Sequence, residues 1–131
     1  MPLAYGKGAP RITQPLLSSI ADAVDAQRQV ATVTTATFTV SDPFNVACSP
    51  GAGLTSQAIS LPEITTALLA DAEPITITDA AGTAASKPIY IEPGSGFTIN
   101  GASNLTLNDN NGSYTVKPVT ATRWAIVSKY P

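Results

Sequence analysis

From residue 31 onward the chain has a period of two, in short runs broken every ten residues or so by small and turn-forming residues. Ala36, Phe38 and Val40 alternate with Thr35, Thr37 and Thr39 before Asp42-Pro43 ends the run. Threonine suits such a segment because its branched Cβ fits a pleated surface. Further runs follow at residues 45–48, 57–61, 75–78, 88–92, 96–100, 104–108, 114–118 and 124–128. The breaks between them place Asn, Asp or Gly where a tight turn needs positive φ: Asp79 to Gly82, Asn100-Gly101 and Asn111-Gly112. Eight or nine short strands at this spacing predict an all-β fold, an antiparallel sandwich or barrel. Residues 62–70, PEITTALLA, are compatible with a single helical turn or a loop.

Upstream of this region the period differs. Residues 1–14 carry Pro2, Gly6, Gly8 and Pro10 with neither helical nor strand periodicity, the signature of an extended arm that gains order by lying against a neighbour. Residues 13–30, TQPLLSSIADAVDAQRQV, form the one good helix candidate, with Thr13 placed to cap it and Pro15 in its first turn. Leu16, Ile20 and Val24 fall at i, i+4 and i+8, and Leu17 and Ala21 widen the stripe. That stripe either covers the core of its own domain or packs against symmetry mates as a short bundle. The expected division is an anchoring and assembly segment, 1–30, followed by a β-domain, 31–131.

Composition narrows the chemistry. The 131 residues include no His, one Cys and one Met, and 12% are charged, about half the usual share for a soluble domain. Seven Lys and Arg against nine Asp and Glu, with no basic cluster, argue against nucleic-acid binding. Cys48 has no second Cys with which to bridge, and without His there is no framework for a soft metal; a small buried thiol is expected, and no cofactor. The first fifteen residues lack the apolar core of a signal peptide, and no window approaches the ~20 apolar residues needed to span a bilayer. Synthesis in a cytoplasm, without membrane insertion, is the expectation.

Acid–base or nucleophilic catalysis would have to use Asp, Glu, Lys or Tyr, and no pair of the nine carboxylates has a recognisable catalytic spacing. An enzyme is not expected. Asp109 to Gly112, DNNG, lacks the further oxygen ligands and terminal Glu of a calcium loop and reads as a type I′ hairpin turn. Asp79 can accept hydrogen bonds from the turn that follows it, Gly82 permits left-handed φ, and Ile89 and Ile91 share a strand face that Trp124 can meet across the core, with Phe38 a further core residue.

Taken together, ISLPEI at 59–64, ITITDAAGTAASKPIYIEP at 75–93, FTINGASNLTLN at 97–108, GSYTVKPV at 112–119 and RWAIVSK at 123–129 resemble a β-module of phage structural proteins, found in head fibres, head decoration proteins and tail fibres. The marks are I-x-I-x-D-x-x-G from Ile75 to Gly82, P-I-x-I from Pro88 to Ile91, T-I-x-G from Thr98 to Gly101, and W-x-I-V from Trp124 to Val127. The chain departs from the family in PGSGFTINGAS, where Asn100 stands in place of an acidic residue. The resemblance implies a homotrimer on the virion surface, made in the bacterial cytoplasm.

Two functions follow as expectations. The first is a capsid decoration, or cement, protein whose partner is the major capsid protein, with Leu3, Tyr5, Lys7, Arg11 and Ile12 of the arm touching the shell and Leu16, Ile20 and Val24 in helix packing. The second is a receptor-binding fibre module that recognises host glycan or protein. Exposed aromatics would favour the second, and most of the eight aromatics sit inside strand patterns.

Overall fold

The computed structural model describes residues 30–41 and 45–131. The expected arm, most of the expected helix and Asp42-Pro43 lie outside the described residues. Val30, the last residue of that expected helix, instead begins the first strand.

Ten strands and one short helix make up the described fold: β1 (Val30–Val33), β2 (Thr37–Thr39), β3 (Asn45–Cys48), β4 (Gln57–Ser60), α1 (Thr66–Asp71), β5 (Ile75–Asp79), β6 (Ile89–Glu92), β7 (Thr98–Ile99), β8 (Leu105–Leu107), β9 (Ser113–Thr120) and β10 (Arg123–Tyr130). They form a six-stranded sheet of order β1-β3-β5-β9-β10-β7 and a four-stranded sheet of order β2-β4-β6-β8. The all-β, two-sheet architecture is that expected from the period-two pattern.

The pairing is not uniformly antiparallel. From β1 to β8 each successive strand changes sheet, so strands two apart in sequence stack in parallel: β1 on β3 on β5, and β2 on β4 on β6. The segments between them therefore cross the ~10 Å between facing sheets and do not fold back as hairpins. This is the coiling of a short β-solenoid. The coil ends at β8 and β9, which run antiparallel to β6 and β5, and at the one sequential hairpin, β9–β10.

Alternation determines what each strand buries. β5 and β9 bury every second side chain, as do β4 and β6. In the six-stranded sheet Ala31, Val46, Ile77 and Tyr114 stand in one cross-strand row, and Ile75 faces Val116 and then Ile126. In the four-stranded sheet Phe38, Ile59, Ile91 and Leu105 form the corresponding row. Both inner faces merge into one core, with Trp124, Ile89 and Ile91 fully buried and Phe38 packed at its margin. Full burial of an Ile side chain contributes roughly 1.5–3 kcal/mol, and isoleucine, whose stiff χ1 suits a strand, is the commonest residue of the core.

Of the helical turn or loop that PEITTALLA allowed, the helical turn forms, as α1 on the long crossing from β4 to β5. Thr65 caps it by accepting a hydrogen bond from the Leu68 N–H at 3.1 Å, and Ala72 ends it in the left-handed region at φ 50°. Gln57, buried at the start of β4, donates from Nε2 to the carbonyls of Val33 (3.0 Å) and Thr35 (2.8 Å) and so ties the β1–β2 corner to the next coil.

The DNNG turn is not type I′. The Gly112 N–H closes it on the Asp109 carbonyl at 2.9 Å, but only Asn111 (φ 63°) among its central residues has positive φ, whereas type I′ requires two. It also joins β8 to β9 in opposite sheets. Gly112 is selected by space: a Cβ there would lie 2.8 Å from the Asp109 carbonyl oxygen, 2.9 Å from a Leu107 methyl and 3.0 Å from the Tyr130 carbonyl oxygen. Gly112→Ala is expected to cost about 1–3 kcal/mol in urea unfolding, as overpacked sites do. A loss below about 0.5 kcal/mol would mean that the turn yields without strain.

Candidate functional site

Two features could carry function: one buried polar cluster and the outward surface of the sheets. The cluster sits where β3 and β5 end. Val33, Cys48 and Asp79 stand in register across three parallel strands, so the inward phase that holds valine in the first coil holds a carboxylate in the third. Asp79 is 2% exposed. Its Oδ1 accepts from the Gly82 N–H at 3.1 Å, and its Oδ2 accepts from Ala84 N–H at 2.9 Å and Asn111 N–H at 3.0 Å. Gly82 takes φ 73°, and a Cβ there would lie 3.0 Å from Asn111 Oδ1. The I-x-I-x-D-x-x-G unit is thus a device that folds the 79–84 loop onto the 109–112 turn.

Cys48 is fully buried beside it, and its carbonyl accepts from the N–H groups of Ala80 and Ala81. Burial, and after it the negative charge of Asp79, push the Cys48 thiol up from 9.0 to about 12. A thiol so held is protonated at neutral pH and is a poor nucleophile. Among the described residues no group of three or more His, Cys, Asp or Glu side chains converges, and no concave pocket is present. What the cluster does with its hydrogen bonds is hold two loops together.

The other turn residues also serve as scaffold. Asn100 and Gly101 take φ 51° and 85°. The Asn100 N–H donates to the Trp124 carbonyl at 2.8 Å, and its side-chain Oδ1 accepts from the Ile126 N–H at 3.1 Å. The amide at position 100 therefore anchors β7 to β10. Lys129 Nζ lies 3.7 Å from Asp109 Oδ2 and 5.5 Å from the centre of the Tyr114 ring, and the ion pair, being exposed, contributes at most about 1 kcal/mol.

The outer face of the six-stranded sheet is nearly free of charge. One row across it reads Thr32, Ala47, Thr78, Ser113, Tyr130; the next reads Val30, Asn45, Thr76, Thr115, Ser128. Thr76 and Thr115 pair their hydroxyls at 2.9 Å across β5 and β9. Lys117, opposite Ala125, and the exposed Arg123, beside Thr98, are the charges at one end of this surface. At the far side of the sheet β10 is covered by β7 only at Arg123 and Trp124, and beyond the Ile126 contact with Asn100 its edge has no partner strand among the described residues. A bulge at Val127 breaks its register with β9, and Val127 (48%) and Tyr130 (65%) stand exposed there. The four-stranded sheet presents Thr37, Ala58, Tyr90 and Thr106 in one outward row and Thr39, Ser60 and Glu92 in the next.

The arm residues Leu3, Tyr5, Lys7, Arg11 and Ile12 and the helix stripe Leu16, Ile20 and Val24 lie outside the described residues. Sequence reasoning had no hold on Gln57, although a lone Gln at the inward phase of QAIS is a signal. Nor did it find the open β10 edge, since RWAIVSKY carries no mark of which strand lies beside it. No helix among the described residues is long and apolar enough to cross a membrane. No family model matches the chain, and neither does any curated protein sequence.

Removing the Asp79 carboxylate strands three backbone N–H groups, each costing about 1–3 kcal/mol if left unsatisfied. Asp79→Ala is therefore expected to lose about 3–5 kcal/mol in urea unfolding and Asp79→Asn roughly half of that; a loss under 0.5 kcal/mol for the alanine variant would refute the loop-clamping role. Cys48 supplies a pH dependence. Because the folded state keeps its thiol proton up to about pH 12 while the unfolded chain releases it from about 9, this residue makes stability fall across pH 9–12. The slope it adds is at most about 1.4 kcal/mol per pH unit. Stability curves of the protein and of Cys48→Ala should diverge in that window, and parallel curves would argue against the raised thiol.

Proposed function

We propose that the chain is a non-enzymatic structural protein of a phage virion, a decoration protein that stabilises the head as a homotrimer and reaches the major capsid protein through residues 1–14. The family resemblance of residues 57–129 supplies the class. The observation that carries the reading is the outer face of the six-stranded sheet, two rows of Thr, Ser, Ala and Asn that continue to an open strand edge with exposed Val127 and Tyr130.

A face of small uncharged side chains gives up less hydration on burial than a charged one, and interface centres are depleted in charge. An open edge is a liability to be covered by another chain. Self-association through this surface answers both conditions, and binding the assembled shell in preference to its parts would stabilise it by mass action. The receptor-binding alternative draws less support: Tyr90 and Tyr130, the exposed aromatics of the described residues, stand on different sheets and form no joint platform for a sugar.

The test combines the intact protein, a variant lacking residues 1–14, and Thr78→Lys, with Thr37→Lys on the opposite sheet as control. Sedimentation equilibrium should give three times the 13.4 kDa protomer mass for the intact protein and the control. Thr78→Lys should be monomeric. Added to undecorated heads, the intact protein should co-sediment and raise the temperature of DNA release, and the truncated protein should do neither. Binding to host cells with none to heads would replace the decoration reading with the receptor-binding one.

A further inference from the structure

Asn100 and Asn111 are the asparagines of this chain that precede a glycine. Glycine has no side chain to hinder its own nitrogen, so in such a pair the glycine amide can attack the asparagine side chain. Both asparagines are exposed and both have positive φ, 51° and 63°, so neither accessibility nor φ separates them. What separates them is the peptide unit between asparagine and glycine. Attack brings the glycine nitrogen onto the asparagine Cγ, which requires that unit to turn about the asparagine Cα–C bond. Hydrogen bonds and close neighbours that hold the unit in place therefore slow the reaction.

Asn111 is held. The Gly112 N–H donates to the Asp109 carbonyl at 2.9 Å, the Gly112 carbonyl accepts from the Asp79 N–H at 2.9 Å, and the Asn111 N–H donates to Asp79 Oδ2 at 3.0 Å. Gly112 is also buried, in a space too small for a Cβ. Asn100 is held only on the side away from its glycine, where its N–H donates to the Trp124 carbonyl at 2.8 Å. Ile99 and Ala102 exchange N–H···O bonds of 2.9 Å around it, and with φ 51° and 85° at the two central residues this is the type I′ pattern that the DNNG turn lacks. Among the described residues neither the Asn100 carbonyl nor the Gly101 N–H makes a hydrogen bond, and the space around Gly101 is open. The bond from the Ile126 N–H to Asn100 Oδ1 is exposed, so water replaces it at little cost.

We propose that Asn100 is a site of spontaneous deamidation and that the fold protects Asn111 from the same reaction. Base removes the Gly101 amide proton, and the nitrogen forms a bond to Asn100 Cγ. The Cγ–Nδ2 bond breaks, the leaving nitrogen takes up a proton and departs as ammonia, and a five-membered succinimide remains. Water then adds to one of the two imide carbonyls and opens the ring, giving aspartate or isoaspartate at position 100 with no change of oxidation state. Aspartate keeps an oxygen that accepts from Ile126. Isoaspartate places an extra carbon in the main chain of a two-residue turn and so loosens the end of β7 from β10.

Timed peptide mapping by mass spectrometry tests it on the full-length protein, folded and in urea at the same mildly alkaline pH. In urea the two Asn-Gly pairs should convert at comparable rates, because only the local sequence then acts. In the folded protein Asn100 should convert roughly ten-fold faster than Asn111 or more, the factor expected when two further hydrogen bonds must open. Both sites are read in one sample, and enzymatic methylation distinguishes isoaspartate from aspartate. Two results would overturn the proposal: Asn111 converting as fast as Asn100 in the folded protein, or Asn100 unchanged in the folded protein after both pairs have fully converted in urea. Neither head binding nor oligomeric state is read in this experiment, so failure here leaves the decoration reading standing and the reverse also holds.

Discussion

A single buried carboxylate sits where the architecture changes direction. β5 is parallel to β3 on one side and antiparallel to β9 on the other, and Asp79 at its end reaches the loop that leaves β5 and the turn that leads into β9. Without those bonds the 79–84 loop and the 109–112 turn would each keep backbone N–H groups away from water and unpaired, which a marginally stable domain tolerates poorly. The glycines around it follow from the same closeness. Gly82 has the positive φ and the missing Cβ that let the loop pass Asn111, and Gly112 has only the missing Cβ. The raised Cys48 thiol is a consequence of sharing that site.

The coil explains the surface as well. When strands two apart stack in parallel, every outward position repeats in register, so a preference for Thr, Ser and Ala at outward phases becomes rows of like residues across a whole sheet. Inward phases repeat likewise as Phe38, Ile59, Ile91 and Leu105. A sheet built so has one greasy face, one flat and nearly uncharged face, and two edges that must be covered. Among the described residues β1 of the six-stranded sheet, β2 and β8 of the four-stranded sheet and the far part of β10 have one edge each without a neighbouring strand.

Much of the fold was legible. Period-two alternation located β3, β4, β5 and β6 within a residue or so, because burial on one face of a strand leaves a local trace, and it named Phe38, Ile89, Ile91 and Trp124 as core. β7 shrank from an expected five residues to Thr98–Ile99, since the Asn100-Gly101 turn with its positive φ begins inside the apolar run. The turn residues were visible for the same local reason; the DNNG turn was misread as type I′ because Asn-Gly marks a hairpin only if the two flanking strands are neighbours, and here they lie in different sheets.

By itself the sequence determined an all-β chain of short strands with its apolar phases inward, little charge, no imidazole and one thiol, because each of these is a property of composition or of residues a few positions apart. Tertiary structure alone decided that the strands pair in parallel across a coil, that Asp79 serves a turn thirty-two residues away, that Gly112 is required by its neighbours and not by its φ, and that β10 has an open edge among the described residues. The reason is physical: alternation fixes which face of a strand is buried, while the identity of its neighbour depends on contacts distant in sequence that leave no periodic mark in it.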